Sequence, residues 1–127
     1  MKNRMWLAAV AVVALAYGAA AAEGKAMAKV DEKQSAIKGE VLDLSCYMGH
    51  GGQGEGHAGC AAKCLQGGAP MGLLGTDGAV YLLFADHSDA SAYEKTKGFA
   101  GKNVEVTGEV ATKGALKGIT VHGVKAL

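Results

Sequence analysis

Much of what usually announces a function is missing from this chain. Aromatic residues are few, with one Trp, four Tyr and two Phe in 127 residues, and only Tyr81 and Phe84 fall in segments that read as strands. A sheet face built to stack on a peptide or glycan is therefore poorly supplied. No run of Lys or Arg occurs, and 13 basic residues stand against 12 acidic ones. Phosphate backbones and anionic lipids need a basic face, so the composition argues against nucleic acid as a partner. Ser45, Ser88 and Ser91 lack a Gly-x-Ser-x-Gly setting, and no carboxylates are paired for acid–base work, so nothing points to a hydrolase. The glycines at 49, 51, 52, 54 and 56 are followed by no Gly-Lys-Ser/Thr, which removes the phosphate cradle. Cys-x-x-Cys-His is absent too, so covalent haem is not indicated.

The N-terminus supplies the first positive signal. MKNR is basic, WLAAVAVVALAYGAAAA is uncharged and mainly apolar, and Ala20 and Ala22 stand at the −3 and −1 positions of a cut before Glu23. This is the pattern of a secretory signal peptide over residues 1–22. The rival is a retained anchor, for which Met5–Ala22 is just long enough. Cleavage predicts a periplasmic or secreted protein with no membrane attachment. Loss of Lys2 and Arg4 tips the charge slightly acidic. Residues 23–37 are charged and poor in large apolar groups, and read as a flexible tether.

The domain follows over residues 38–127. GEVLDLS alternates as a partly buried strand, and HAGCAAKCLQGG reads as a short helix closed by Gly67 and Gly68. PMGLLGTDGAVYLLFA gives two strands around Asp77-Gly78, a strong hairpin signal. DHSDASAYEKTKGFAG reads as a second helix, where Asp86 is an ordinary cap and Ser91 with Glu94 has the spacing of a capping box. Tyr93 and Phe99 of that segment face the core. Two further strands carry Val104, Val106 and Val110, then Ile119 and Val121, at period two around KGALKG. His122 lies in register with Thr120 and Val124 on one sheet face. The expected class is mainly β with short helices (α+β): a five-stranded OB-like barrel with a helical Cys/His insertion, residues 46–69, between strands 1 and 2.

GEVLDLS, KNVEVTGEV and LKGITVHGVKAL resemble the first and last strands of small exported bacterial OB-fold proteins, over roughly residues 37–127. CAAKCLQGGAPMGLL is similar to a Cys/His-rich insertion found in a group of such proteins. The resemblance implies an exported binding fold and no particular activity.

Residues 46–64 hold three cysteines and two histidines. On a helix, His57, Cys60 and Cys64 fall within a sector of about 60°, so an imidazole and two thiols share one face. Cys46, leaving the first strand through flexible glycines, swings in as the fourth donor. Cys3His is a common tetrahedral set for Zn(II), and thiolates with Met48 or Met71 nearby also suit Cu(I). His50, among glycines, reads first as a solvated loop residue and second as a ligand. The cysteine count is odd, which disulfide pairing in an exported protein does not explain and a shared ion does. Three readings stay open: a small metal-binding protein holding Cu(I) or Zn(II), a Cys46–Cys60 or Cys46–Cys64 disulfide with one spare thiol that is either inert or makes the pair redox-active, and cysteines that merely pack the helix on the sheet. A general OB-fold binding module is the remaining alternative. The expected partner is the ion, with another exported protein as its donor or acceptor.

Overall fold

The computed structural model describes residues 34–127. The expected signal peptide and most of the expected tether lie outside the described residues. The chain runs β1 (Gln34–Asp43), α1 (Leu44–His50), a 3-10 turn (Glu55–His57), α2 (Ala58–Gln66), β2 (Met71–Gly75), β3 (Val80–Ala85), α3 (Ser91–Lys97), β4 (Asn103–Lys113) and β5 (Leu116–Ala126). β1 begins at Gln34, so residues 34–37 of the expected tether are strand, paired with Val106–Glu109 of β4.

The strands close into a barrel in the order β1-β2-β3-β5-β4, with β4 returning to β1. All neighbours are antiparallel except β3 and β5, which run parallel. This is the OB-like barrel expected from the strand count and the helix between the third and fourth strands. Inward residues follow the period-two pattern: Val41, Leu73, Leu83, Val104, Val106, Ile119 and Val121 are each 3 % exposed or less. Ala61 and Leu65 join this core from α2, and Tyr93 and Phe99 pack against it, as their spacing predicted.

The turn chemistry explains the two hairpins. Asp77 Oδ1 accepts the Ala79 N–H at 3.0 Å, Asp77 Oδ2 accepts the Tyr81 hydroxyl at 2.8 Å, and Gly78 sits at φ 79°. The β4–β5 strands meet at Lys113 and Leu116 around a two-residue turn. α3 departs from the expectation. Ser91 is its first residue, its N–H is held by Asp89 Oδ1 at 2.9 Å, and Glu94 instead meets Lys97 Nζ at 2.8 Å. The capping box does not form because the shorter Asp89 side chain reaches the free N–H first. Among the described residues, no helix is long and apolar enough to cross a membrane.

The insertion leaves the β1–β2 end of the barrel and is tied at its base. Asp43 faces Met71 across the two strands, and the Leu44 N–H donates to Pro70 O at 2.9 Å. Farther out, Glu40 Oε1 accepts the Gly54 N–H, holding the glycine-rich stretch on β1. Val41, Leu42 and Asp43 are all buried although they alternate faces. The barrel core takes Val41, and the insertion packs over the end of the strand.

Candidate metal centre

The thiol expected to arrive on a loose loop arrives on a helix. Asp43 Oδ1 accepts the Ser45 N–H at 2.9 Å, which caps an α-helical turn directly after β1. Gly51, at φ 71°, ends it, with its N–H held by Tyr47 O at 2.9 Å. Cys46 therefore has a fixed direction on α1 and does not swing through the glycines. The sequence pattern hid this helix because Gly49 and the glycines beyond it read as loop.

His57 closes the 3-10 turn, and Cys60 and Cys64 stand one turn apart on α2. Donor atoms of Cys46, His57 and Cys60 lie within 4.8 Å of one another. A second trio, Asp43, Cys46 and Cys64, meets the same limit. Four-coordinate Zn(II) with sulfur at about 2.3 Å implies S···S separations near 3.8 Å, so either trio needs only small side-chain adjustment to grip an ion. All three cysteines are free thiols; Cys60 is exposed and Cys46 and Cys64 are half-buried. Each trio is able to hold a metal ion, and Cys46 belongs to both.

Two atoms of these trios are orphans. Asp43 is 0 % exposed, and its Oδ2 has no hydrogen-bond partner. His57 Nε2 is likewise buried without one. Leaving such a group unsatisfied costs about 1–3 kcal/mol, and an ion is one of the few things that explains it. The thiols of Cys46 and Cys64 interact with the Asp43 carboxylate, while Oδ2 itself has no hydrogen-bond partner. Their influence is still felt. Beside this carboxylate, and with some help from burial, the Cys46 thiol is pushed up to about 12, and that of Cys64 is raised by the same two causes. Burial works to raise Asp43, but the Cys46 thiol, the Ser45 N–H and the Cys64 thiol outweigh it and leave its carboxyl below the usual value. Without an ion the pocket therefore holds a carboxylate between neutral thiols. A cation would reverse the preference of the thiols.

Of the other expected donors, Met48 is 79 % exposed on α1, and Met71 is 0 % exposed within the barrel core, opposite Asp43 in the β1–β2 pairing. His50 is exposed, and its ring meets that of His57 edge-on at 5.5 Å between centroids, a neighbour of the site outside both trios. Asp43 is the residue that the sequence reading missed. Within GEVLDLS it read as one more alternating position of a partly buried strand, and only the fold-back of α2 places Cys64 beside it.

A second polar pair lies elsewhere on the barrel. His122 Nε2 is 3.0 Å from Asp86 Oδ2, which joins β5 to the loop after β3. The shallow groove beside it is lined by Phe84, His87, Lys113 and Leu116 and gathers no convergent set of donors. Comparison of the chain with protein families, with curated proteins and with solved structures finds no match.

Proposed function

We propose that this is a small exported protein that binds a soft transition metal, Cu(I) or Zn(II), through Cys46, His57, Cys60 and Cys64, in the periplasm or outside the cell. The observation that carries the reading is that three free thiols and one imidazole fall into two overlapping donor trios, each with a buried atom that has no partner. Thiolate and imidazole donors suit both ions, whereas Mg(II) and Ca(II) take oxygen. Export is supported by the basic, apolar and small-residue zones of residues 1–22. The role is binding rather than catalysis, with a second exported protein as the natural source or recipient of the ion.

Elemental analysis of the protein isolated from its native envelope, with thiols counted before and after chelation, tests this. One ion per chain, with three thiols counted after chelation and fewer before it, is the expected result. One free thiol and no ion would replace the reading with a disulfide-stapled protein. Cys46 is near enough to Cys60 and Cys64 to bridge either after a small movement. A disulfide-exchange enzyme, however, needs an easily ionised thiol, and the raised Cys46 and Cys64 are the opposite. Loss of the ion on dialysis against a weak chelator marks a transfer site; retention marks a structural one.

A further inference from the structure

The donors do not form one mutual cluster. They divide into Cys46–His57–Cys60 and Asp43–Cys46–Cys64, and Cys46 is common to both. The trios differ in access. The first contains exposed Cys60 and half-buried His57; the second contains Asp43, which no solvent reaches. Among the described residues, two buried side-chain atoms lack a hydrogen bond, and each trio contains one: His57 Nε2 in the first and Asp43 Oδ2 in the second.

Asp43 is unusual on its own terms. A carboxylate removed from water is almost always paired with a cation. Among the described residues, the ion pairs are Lys38–Glu105, Lys97–Glu94 and His122–Asp86, and Asp43 is in none of them. Its Oδ1 is occupied by the cap of α1, and its Oδ2 is available to a cation. Charge also argues against using every donor at once: three thiolates and a carboxylate around one divalent ion would leave a net charge of about −2 in a half-buried pocket, a costly arrangement.

We propose that the site holds one ion at either of two seats, an outer seat of Cys46, His57 and Cys60 where it is loaded and unloaded, and an inner seat of Asp43, Cys46 and Cys64 where it is retained, with the Cys46 thiolate bound throughout. This rests on the metal-binding reading above and adds Asp43 to it as a ligand. In the move inward, Cys64 gives up a proton and Cys60 takes one back. The Cys64 S–H bond breaks as a Cys60 S–H bond forms, so the exchange conserves charge, and apart from this proton only the bonds to the ion change. Sharing one thiolate lets the ion change seats without ever being released to solvent. The combination of thiolates with a carboxylate in the inner seat suits Zn(II) better than Cu(I).

Zn(II) uptake and release by the purified chain, followed by stopped flow against a chromophoric chelator, separate the seats. Cys60→Ser and His57→Gln are expected to slow uptake at least tenfold while leaving the equilibrium Kd within about threefold. Cys64→Ser and Asp43→Asn are expected to leave uptake unchanged and speed release at least tenfold. Asn keeps the amide oxygen that caps α1, and circular dichroism of each variant checks the fold. Equal losses of equilibrium affinity for Cys60→Ser and Cys64→Ser would overturn the two-seat proposal and leave a single four-ligand site. Two Zn(II) per chain would overturn it in favour of a thiolate-bridged pair. No Zn(II) bound by the native chain would remove the metal reading itself.

Discussion

A Cβ built on Gly52 would stand 2.7 Å from His57 Nε2, so the imidazole occupies space that any other residue at position 52 would claim. Gly52→Ala must displace the ring, and we expect Zn(II) uptake to slow at least tenfold in stopped flow, with the equilibrium Kd within about threefold and little change in the urea midpoint. Unchanged uptake would show that His57 is not a ligand of the outer seat. On the metal-binding reading, Cys46 and Cys64 lose protons when an ion takes the inner seat, and both thiols are raised beside Asp43. Ion affinity therefore strengthens as pH rises, by about 100-fold per unit for two protons between pH 6 and 8. A chelator competition showing less than tenfold per unit would mean that at most one thiol is displaced from its proton. Asp86 titrates in the other sense. Hydrogen bonds from the Ser88 side chain and N–H, helped by the Asp89 N–H and His122 and opposed by burial, lower it to about 2. A lowered carboxyl stabilises the fold above its unfolded value and loses that contribution as pH falls through about 2. The urea-midpoint gap between the native chain and Asp86→Asn should hold at pH 5 and narrow between pH 4 and 2. A gap that stays constant to pH 2 would contradict the assignment.

At the scale of elements, α1 is decisive because it aims Cys46. Its stability rests on an Asp43 cap at one end and Gly51 in the left-handed region at the other. Gly49 lies inside the helix, and a Cβ there meets nothing within 4 Å. Gly49→Ala should therefore strengthen the insertion by about 0.5–1 kcal/mol, and Gly51→Ala weaken it by about 1 kcal/mol, since only the latter forces a side chain into positive φ. Hydrogen exchange of the Cys46 and Tyr47 amides reports both changes; shifts of the same sign would exclude this account of the helix. α2 has a double task. Its Ala61 and Leu65 face the barrel core while Cys60 and Cys64, each one position earlier, face α1 and Asp43. The thiols are thus anchored by apolar burial that needs no ion.

For the whole molecule, this separation of tasks predicts how the fold responds to the ion. The barrel closes on its own strands, and the insertion is tied to it by Leu44, Glu40 and the Asp43–Met71 pairing. Chelation should leave the far-ultraviolet circular dichroism spectrum of the barrel intact. Zn(II) at 100 times its Kd should add about 2.7 kcal/mol, a rise of roughly 10–20 °C in Tm. Unfolding on chelation would show instead that the ion is a structural staple of the barrel.

The alternation of Val104, Val106, Ile119 and Val121, the Asp77-Gly78 turn and the helical face carrying His57, Cys60 and Cys64 were legible in the chain, because each depends on residues within a few positions of one another. These local rules already determined five strands, their match in number and helix position to an OB-like barrel, and three of the candidate donors. Tertiary structure alone decided that Cys46 approaches on a helix, that Asp43 is sealed from water beside two thiols, and that the donors divide into two trios. The physical reason is distance along the chain: Asp43 and Cys64 meet only because the insertion folds back and its base is pinned by β1–β2 pairing. No periodicity in either segment records that return.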